Sequence, residues 1–272
     1  MTDARARADH DAPPPAVAGV ADIVDQLRAA GCVFAEDEAQ LLTSEASTPA
    51  QLEAMLAQRV SGLPLEQVLG WAEFCGLRVP VEPGVFVPRR RTEFLVERAA
   101  ALALPQACTA VDLCCGSGAI GLGLLRALPL ARLEAVDIDP VAVRCAARNL
   151  AERGRVHAGD LDEPLPAELA GRVDLVVVNA PHVPSESIPL MPPEAREHEP
   201  LRALDGGADG IELQRRAAVA APRWLAPGGH LVVEAGAQQA APVAELFAQQ
   251  GLRPEVARSE EHDATVIVGT RA

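Results

Sequence analysis

The chain has no lysine and no tyrosine, and aromatic residues make up only 3% of its 272 residues. A core built without aromatics must come from Leu, Val, Ala and Ile, and a hydrophobic content of 49% supplies enough of them. The six cysteines contain no Cys-x-x-Cys pair and no zinc-ligand spacing. His198 and His262 stand between acidic neighbours in charged stretches, so no metal site is expected. There is no signal-peptide pattern, and no apolar run approaches a membrane span. These absences point to a reduced, soluble, cytoplasmic protein whose cysteines fill space. The formal net charge of −14 disfavours a large nucleic-acid interface. Positive charge concentrates only at Arg89-Arg90-Arg91, which reads equally as a functional patch or a solvated loop.

Residues 1–18 are polar and proline-rich and are expected to form a disordered tail. Residues 19–71 carry helical periodicity. Ile23, Val24 and Leu27 share a face, Leu41 and Leu42 lie in a second piece, and Leu52, Met55, Leu56 and Val60 in a third. Thr48-Pro49 reads as an N-cap followed by proline at the first helical position. Residues 72–91 switch to strand-like alternation through Phe74, Leu77, Val79 and Val81. A turn is expected at Pro83-Gly84 and a second extended run at Val85-Phe86-Val87, giving a hairpin linker. Thr92 is expected to cap a helix. From residue 92 to 272 strands and helices alternate: five βα-type strands and a closing antiparallel pair near 253–257 and 265–270. The pattern predicts an α/β fold of Rossmann-like type, a mostly parallel seven-stranded sheet preceded by a small helical domain. In such sheets ligands bind beyond the carboxyl ends of the strands.

Four sites fall at those ends. The first is Asp112-Leu113-Cys114-Cys115-Gly116-Ser117-Gly118, running into Gly121. Glycines let backbone approach a ligand, and the helix that follows offers free N–H donors. The G-x-G-x-x-G spacing suits NAD and S-adenosylmethionine alike. Asp137, ending the next strand, is placed to accept both ribose hydroxyls of an adenosine, while Asp139 before Pro140 fits a helix cap. Asp160-Leu161, after the third strand, is placed to flank an adenine; the alternative is a surface loop. The fourth site, Asn179-Ala180-Pro181-His182, follows the apolar strand Asp174–Val178 and separates the cofactors. An amide nitrogen is a poor nucleophile because its lone pair is delocalised. Two acceptors, the Asn179 side-chain oxygen and the Ala180 carbonyl, would orient its N–H groups and favour proton loss as a methyl arrives. The alternative is an Asn that satisfies a turn.

These residues resemble the protein-(glutamine-N5) methyltransferases, whose best-known members modify peptide chain release factors. The resemblance runs from about Leu63 to the C-terminus. It includes Pro83-Gly84-Val85-Phe86-Val87-Pro88-Arg89 with Thr92-Glu93, Asp112 to Gly121, Asn179 to His182 where the family has Asn-Pro-Pro-Tyr, and Ala203-Leu204-Asp205-Gly206-Gly207 with Asp209-Gly210. It implies a class I methyltransferase using S-adenosylmethionine on a protein glutamine, with the helical domain recognising the substrate. By it, Asn179 and the Ala180 carbonyl hold the target amide, with Pro181 and His182 completing the catalytic loop. Asp112, Cys114, Cys115, Gly116, Ser117, Gly118, Asp137, Asp160, Leu161 and Asn179 would serve the cofactor. Cys114 replaces the family's first glycine, Ala180 a proline, His182 the tyrosine, and Arg90-Arg91 a Pro-Glu pair. Together the departures suggest a divergent paralogue with a different acceptor. The rival readings are an adenine-N6 nucleic-acid methyltransferase, a small-molecule methyltransferase, an NAD-dependent dehydrogenase and a non-catalytic binding protein. Base flipping wants a basic, aromatic surface, which this sequence lacks.

Overall fold

A computed structural model describes residues 19–128 and 132–272; the tail expected at 1–18 lies outside them. The chain divides into two compact units, Met1–Leu65 and Glu66–Ala272. Among its described residues the first unit holds three helices, α1 (Val20–Ala29), α2 (Ala35–Glu45) and α3 (Pro49–Val60). The Thr48 side chain accepts from Gln51 N at 3.2 Å, and Pro49 takes the first helical position. In α3 the buried face runs Leu52, Met55, Leu56, Arg59, while Val60 is 41% exposed. The helix ends at Val60, as the periodicity predicts. Arg59 is buried because Glu38 of α2 accepts from its Nε and Nη2, at 2.6 and 3.2 Å.

A short helix α4 (Leu65–Leu69) stands at the boundary, followed by the antiparallel pair β1 (Trp71–Phe74) and β2 (Leu77–Pro80). The hairpin turns at Cys75-Gly76, both at positive φ; the expected turn at Pro83-Gly84 forms, with Val85 N donating to Glu82 O at 3.0 Å, but it joins no strands. Two residues in left-handed geometry make the tight connection that strand twist favours, so the 85–87 run is left as loop. Next come α5 (Glu93–Ala100), β3 (Thr109–Leu113), α6 (Ala119–Ala127), β4 (Arg132–Asp137), α7 (Pro140–Leu150), β5 (Arg155–Ala158) and β6 (Val173–Val178). Then follow α8 (Pro193–His198), α9 (Glu212–Trp224), β7 (Leu225–Glu234), α10 (Ala240–Gln249), β8 (Leu252–Ser259) and β9 (Ala264–Arg271).

The expected seven-stranded sheet is present, in the order β5-β4-β3-β6-β7-β9-β8. The first five strands are parallel, and β9 runs antiparallel to both its neighbours. Strand alternation sorts the core onto two faces. Val111, Leu113, Val176, Val178, Leu231 and Val233 pack with Trp224 and Phe247 from α9 and α10. Ala110, Leu175, Val177, Val232 and Val266 pack with α5, α6 and the hairpin residues Phe74 and Val79. Burial on both faces explains why these strands read as continuous apolar runs. The chain crosses from β5 to β6 on the other side of β3, so β3 and β6 flank the topological switch point, where ligands of such sheets bind. Among the described residues no helix is long and apolar enough to cross a membrane.

Candidate active site

A cavity of about 600 Å³ opens at the carboxyl ends of β3, β4, β5 and β6, within the range of small-molecule sites. Cys114, Cys115, Gly116, Ser117, Asp137, Asp160, Leu161, Asn179, Ala180, Pro181 and His182 all line it. Asp112 and Gly118 do not. Gly118, at φ 78, begins α6 and lies against Leu150 and Ala146. Asp112 is fully buried beneath the loop, where one oxygen accepts from Gly121 N at 3.1 Å and the other has no partner. Desolvation by burial raises its pKa to about 8, the Gly121 bond working against the shift.

The sign of this shift gives a stability prediction. The folded state holds the Asp112 proton far more tightly than the unfolded chain. Stability is therefore full below the ordinary carboxylate pKa of 3.8 and is lost progressively as pH rises towards about 8. The slope is up to about 1.4 kcal/mol per pH unit. Asp112→Asn keeps an acceptor for Gly121 and removes the titration. Its melting temperature is expected to exceed the parent's at pH 8 and to lose that advantage by pH 4. Parallel melting curves across this range would contradict the assignment.

Gly116 sits at φ 55, and a Cβ built there meets no atom within 4 Å, so its face is open to a ligand. Its N–H donates to Asp137 Oδ2 at 2.8 Å, and Asp139 N–H donates to Asp137 Oδ1 at 2.8 Å. Each carboxylate oxygen keeps a second acceptor position, which is what two ribose hydroxyls require. Asp139 caps α7, accepting from Val141 N at 2.8 Å. Cys114 has φ 59. Left-handed geometry on a residue with a Cβ is strained, which accounts for a glycine being the unstrained choice here. Cys114→Gly is expected to add about 1 kcal/mol of stability, a rise of a few degrees in melting temperature. An unchanged or lower melting temperature would show that the loop carries no such strain.

Asp160 pairs with Arg216 of α9 at 2.9 Å, and Leu161, also at positive φ, lies beside it in the wall. The sequence reading missed Arg216, because α9 follows β6 by more than thirty residues and carries no motif.

Thr92 does not cap a helix. A 3₁₀ turn, Arg90–Thr92, precedes α5, and the Thr92 side chain bonds to nothing in the first turn. Thr92 is 2% exposed, and its hydroxyl instead accepts from Asn179 Nδ2 at 3.2 Å. That bond commits the amide nitrogen and leaves Oδ1 of Asn179, a residue of the cavity wall, available as an acceptor. Ala180 O accepts from His182 Nδ1 at 3.1 Å, so Nδ1 carries the proton, and Arg91 Nη2 reaches the other ring nitrogen at 3.5 Å. Burial lowers the His182 pKa, with Glu234 opposing, and both contacts suit a neutral ring. Glu234, buried at the end of β7, accepts from Arg91 Nε at 3.2 Å. Its position follows from register, since Val178 pairs with Val233 and brings the two strand ends together.

The arginine run is thus largely neutralised. Arg91 pairs with Glu234, and Arg89 with buried Glu199 at 2.5 Å. Glu199 also accepts from Val87 N at 3.1 Å, tying the lead-in loop to the segment after α8. None of the six cysteines forms a disulfide, and burial raises the thiol pKa at Cys114 and Cys115. Among the described residues no group of three or more His, Cys, Asp or Glu is placed to hold a metal.

The methyltransferase small domain model matches residues 76–189. The chain is 38% identical over 225 residues to the release factor glutamine methyltransferase of Geobacter sulfurreducens, covering 82% of this chain and 78% of that one. It is 39% identical over 201 residues to the 4-amino-L-phenylalanine/4-methylamino-L-phenylalanine methyltransferase of Streptomyces pristinaespiralis, covering 71% and 68%. A methyltransferase structure from Pyrococcus furiosus superposes with a TM-score of 0.56 at 14% identity, covering 72% of this chain and 90% of the other, a likeness of fold alone.

Proposed function

This chain belongs to the release factor glutamine methyltransferase family, and from that premise we propose that it methylates the side-chain amide nitrogen of a protein glutamine, with S-adenosylmethionine as donor. The observation that carries the reading is the acceptor pair at the cavity: Asn179 Oδ1, oriented by Thr92, beside the Ala180 carbonyl. The donor supplies an electrophilic methyl group on a sulfonium. Asp137 would hold its ribose, Gly116 and its neighbours the methionine portion, and Leu161 the adenine. Asp160 and Arg216 neutralise one another at that end. Asp112 supports the loop from beneath. At the acceptor end, an amide nitrogen donating both N–H groups to Asn179 and Ala180 is turned so that its lone pair faces the methyl. The two oxygens would stabilise the positive charge that builds on nitrogen as the methyl–sulfur bond breaks to leave a neutral thioether, and the proton would then pass to water. No strong base is required, which fits a neutral, hydrogen-bonded His182.

A second reading has one observation behind it. The Streptomyces relative, named for aminophenylalanine acceptors, is as similar to this chain as the release factor enzymes are, so overall identity does not separate a protein amide from a free aromatic amine. The test is methyl transfer from labelled donor to a bacterial release factor and, separately, to 4-amino-L-phenylalanine, with titration of S-adenosylmethionine and NAD alongside. Label on a release factor glutamine supports the proposal. Label only on the amino acid favours the second reading, and no donor binding would leave a non-catalytic protein.

A further inference from the structure

Behind the acceptor loop lies a backbone strap that the chemistry described above does not use. The glycine-rich segment 203–210 runs alongside the end of the acceptor loop. Val183 N donates to Leu204 O at 3.1 Å, Gly206 N to Val183 O at 2.9 Å, and Ser185 N to Gly207 O at 2.9 Å. Asp205 closes the turn, accepting from Ser185 Oγ at 2.6 Å and Gly207 N at 2.9 Å. Gln239, just before α10, reaches into the same place. Its Oε1 accepts from Gly236 N at 2.9 Å, and its Nε2 donates to His182 O at 2.9 Å and to Asp209 O at 3.3 Å. The partners fix the amide orientation: an N–H needs an acceptor, and two carbonyls need a donor. One side chain therefore joins the end of β7, the glycine segment and the acceptor loop.

The glycines make that approach possible. A Cβ at Gly210 would lie 2.4 Å from Gln239 Nε2 and 2.5 Å from His182 O. A Cβ at Gly206 would lie 2.8 Å from His182 Cα and Pro181 O. No larger residue leaves room for the contact. Pro181-His182 is held from behind while Asn179 and Ala180 face the cavity.

We propose that Gln239 is a positioning residue for methyl transfer, fixing the acceptor loop through the His182 carbonyl so that the Asn179 and Ala180 oxygens keep their mutual geometry. In this chain the demand is sharper, because alanine stands at position 180 and the loop carries one proline, not two. A displacement of about 1 Å at such a site costs about 100-fold in rate. The proposal rests on the amide-clamp reading of Asn179.

The test is Gln239→Glu. Glutamate still accepts from Gly236 N but offers no donor to the His182 and Asp209 carbonyls. Hydrogen exchange across residues 180–185 is expected to quicken at least tenfold. Turnover is expected to fall 10- to 100-fold, with S-adenosylmethionine affinity within twofold of the parent and KM for the acceptor changing less than kcat. Parent-like loop exchange would overturn the proposal, and so would quickened exchange with unchanged kcat. If Gln239→Glu does not fold, Gly210→Ala makes the same break by displacing the Gln239 amide, and parent-like loop exchange there overturns it equally. Loop exchange is read without any acceptor, so failure of the strap is distinct from failure of the glutamine assignment, which would show as a parent enzyme inactive on release factor.

Discussion

Asn179→Ala is expected to lower kcat about 10²- to 10³-fold while the affinity for S-adenosylmethionine stays within a few-fold. The rate loss is what removal of one preorganised electrostatic contact costs in a buried site. The selectivity follows from geometry. Asn179 Nδ2 is spent on Thr92, which leaves Oδ1 to accept from the target amide, and Asp137, the carboxylate proposed for the ribose, belongs to another strand. Thr92→Val, which removes the orienting hydroxyl and keeps the shape, should fall between the parent and Asn179→Ala. Single-turnover rates with saturating donor, beside calorimetric titration of the donor, measure both quantities. Full activity in Asn179→Ala would remove the amide clamp. A parallel collapse of donor affinity would mean that Asn179 belongs to the donor half of the cavity.

The parts of this site visible in the sequence are those set by local rules. Glycine spacing after a strand, an acid at a strand end and Asn before Ala-Pro each announce themselves within a few residues, and the sheet order makes all of them converge. What stayed hidden depends on register or distance. Glu234 reads as the last residue of an apolar strand; only the pairing of β6 with β7 places it beside Arg91 and His182. Thr92 reads as a helix cap because a hydroxyl before an amphipathic run usually is one. Here a 3₁₀ turn turns its hydroxyl inward to Asn179. Gln239 has no sequence signal at all, since its three partners lie in three segments. Arg59 is buried with a partner, Glu38, that belongs to another helix, and nothing local in the sequence announces the pair. The cysteine at 114 was visible as a departure, but its meaning needed the φ angle, which makes it a matter of backbone strain as much as of side-chain bulk.

Asp137→Ala is expected to weaken S-adenosylmethionine binding about 100-fold or more, and turnover at low donor concentration with it. Two hydrogen bonds to a charged acceptor, at about 1.5–3 kcal/mol each, set that scale. The variant also frees Gly116 N and Asp139 N, which the carboxylate holds at 2.8 Å, so the loop proposed to hold the methionine portion loosens as well. Asp137→Asn separates the two effects. Its single side-chain oxygen keeps one backbone donor satisfied, while its Nδ2 faces the other, so the remaining loss reports the missing charge together with one lost acceptor. The pH dependence carries a sign. Burial raises the Asp137 pKa in the free protein, with the two backbone donors opposing. Ribose hydroxyls would favour the ionised form and lower the pKa in the complex. Donor affinity is therefore full above the free-protein pKa and falls as pH drops through it, with uptake of one proton on release. Titrations carried from pH 8 down into the acid range, through the raised pKa of the free protein, should show this fall in the parent and a flatter profile in Asp137→Asn. Identical profiles in the two proteins would take the ribose away from Asp137 and leave it as a brace for the loop.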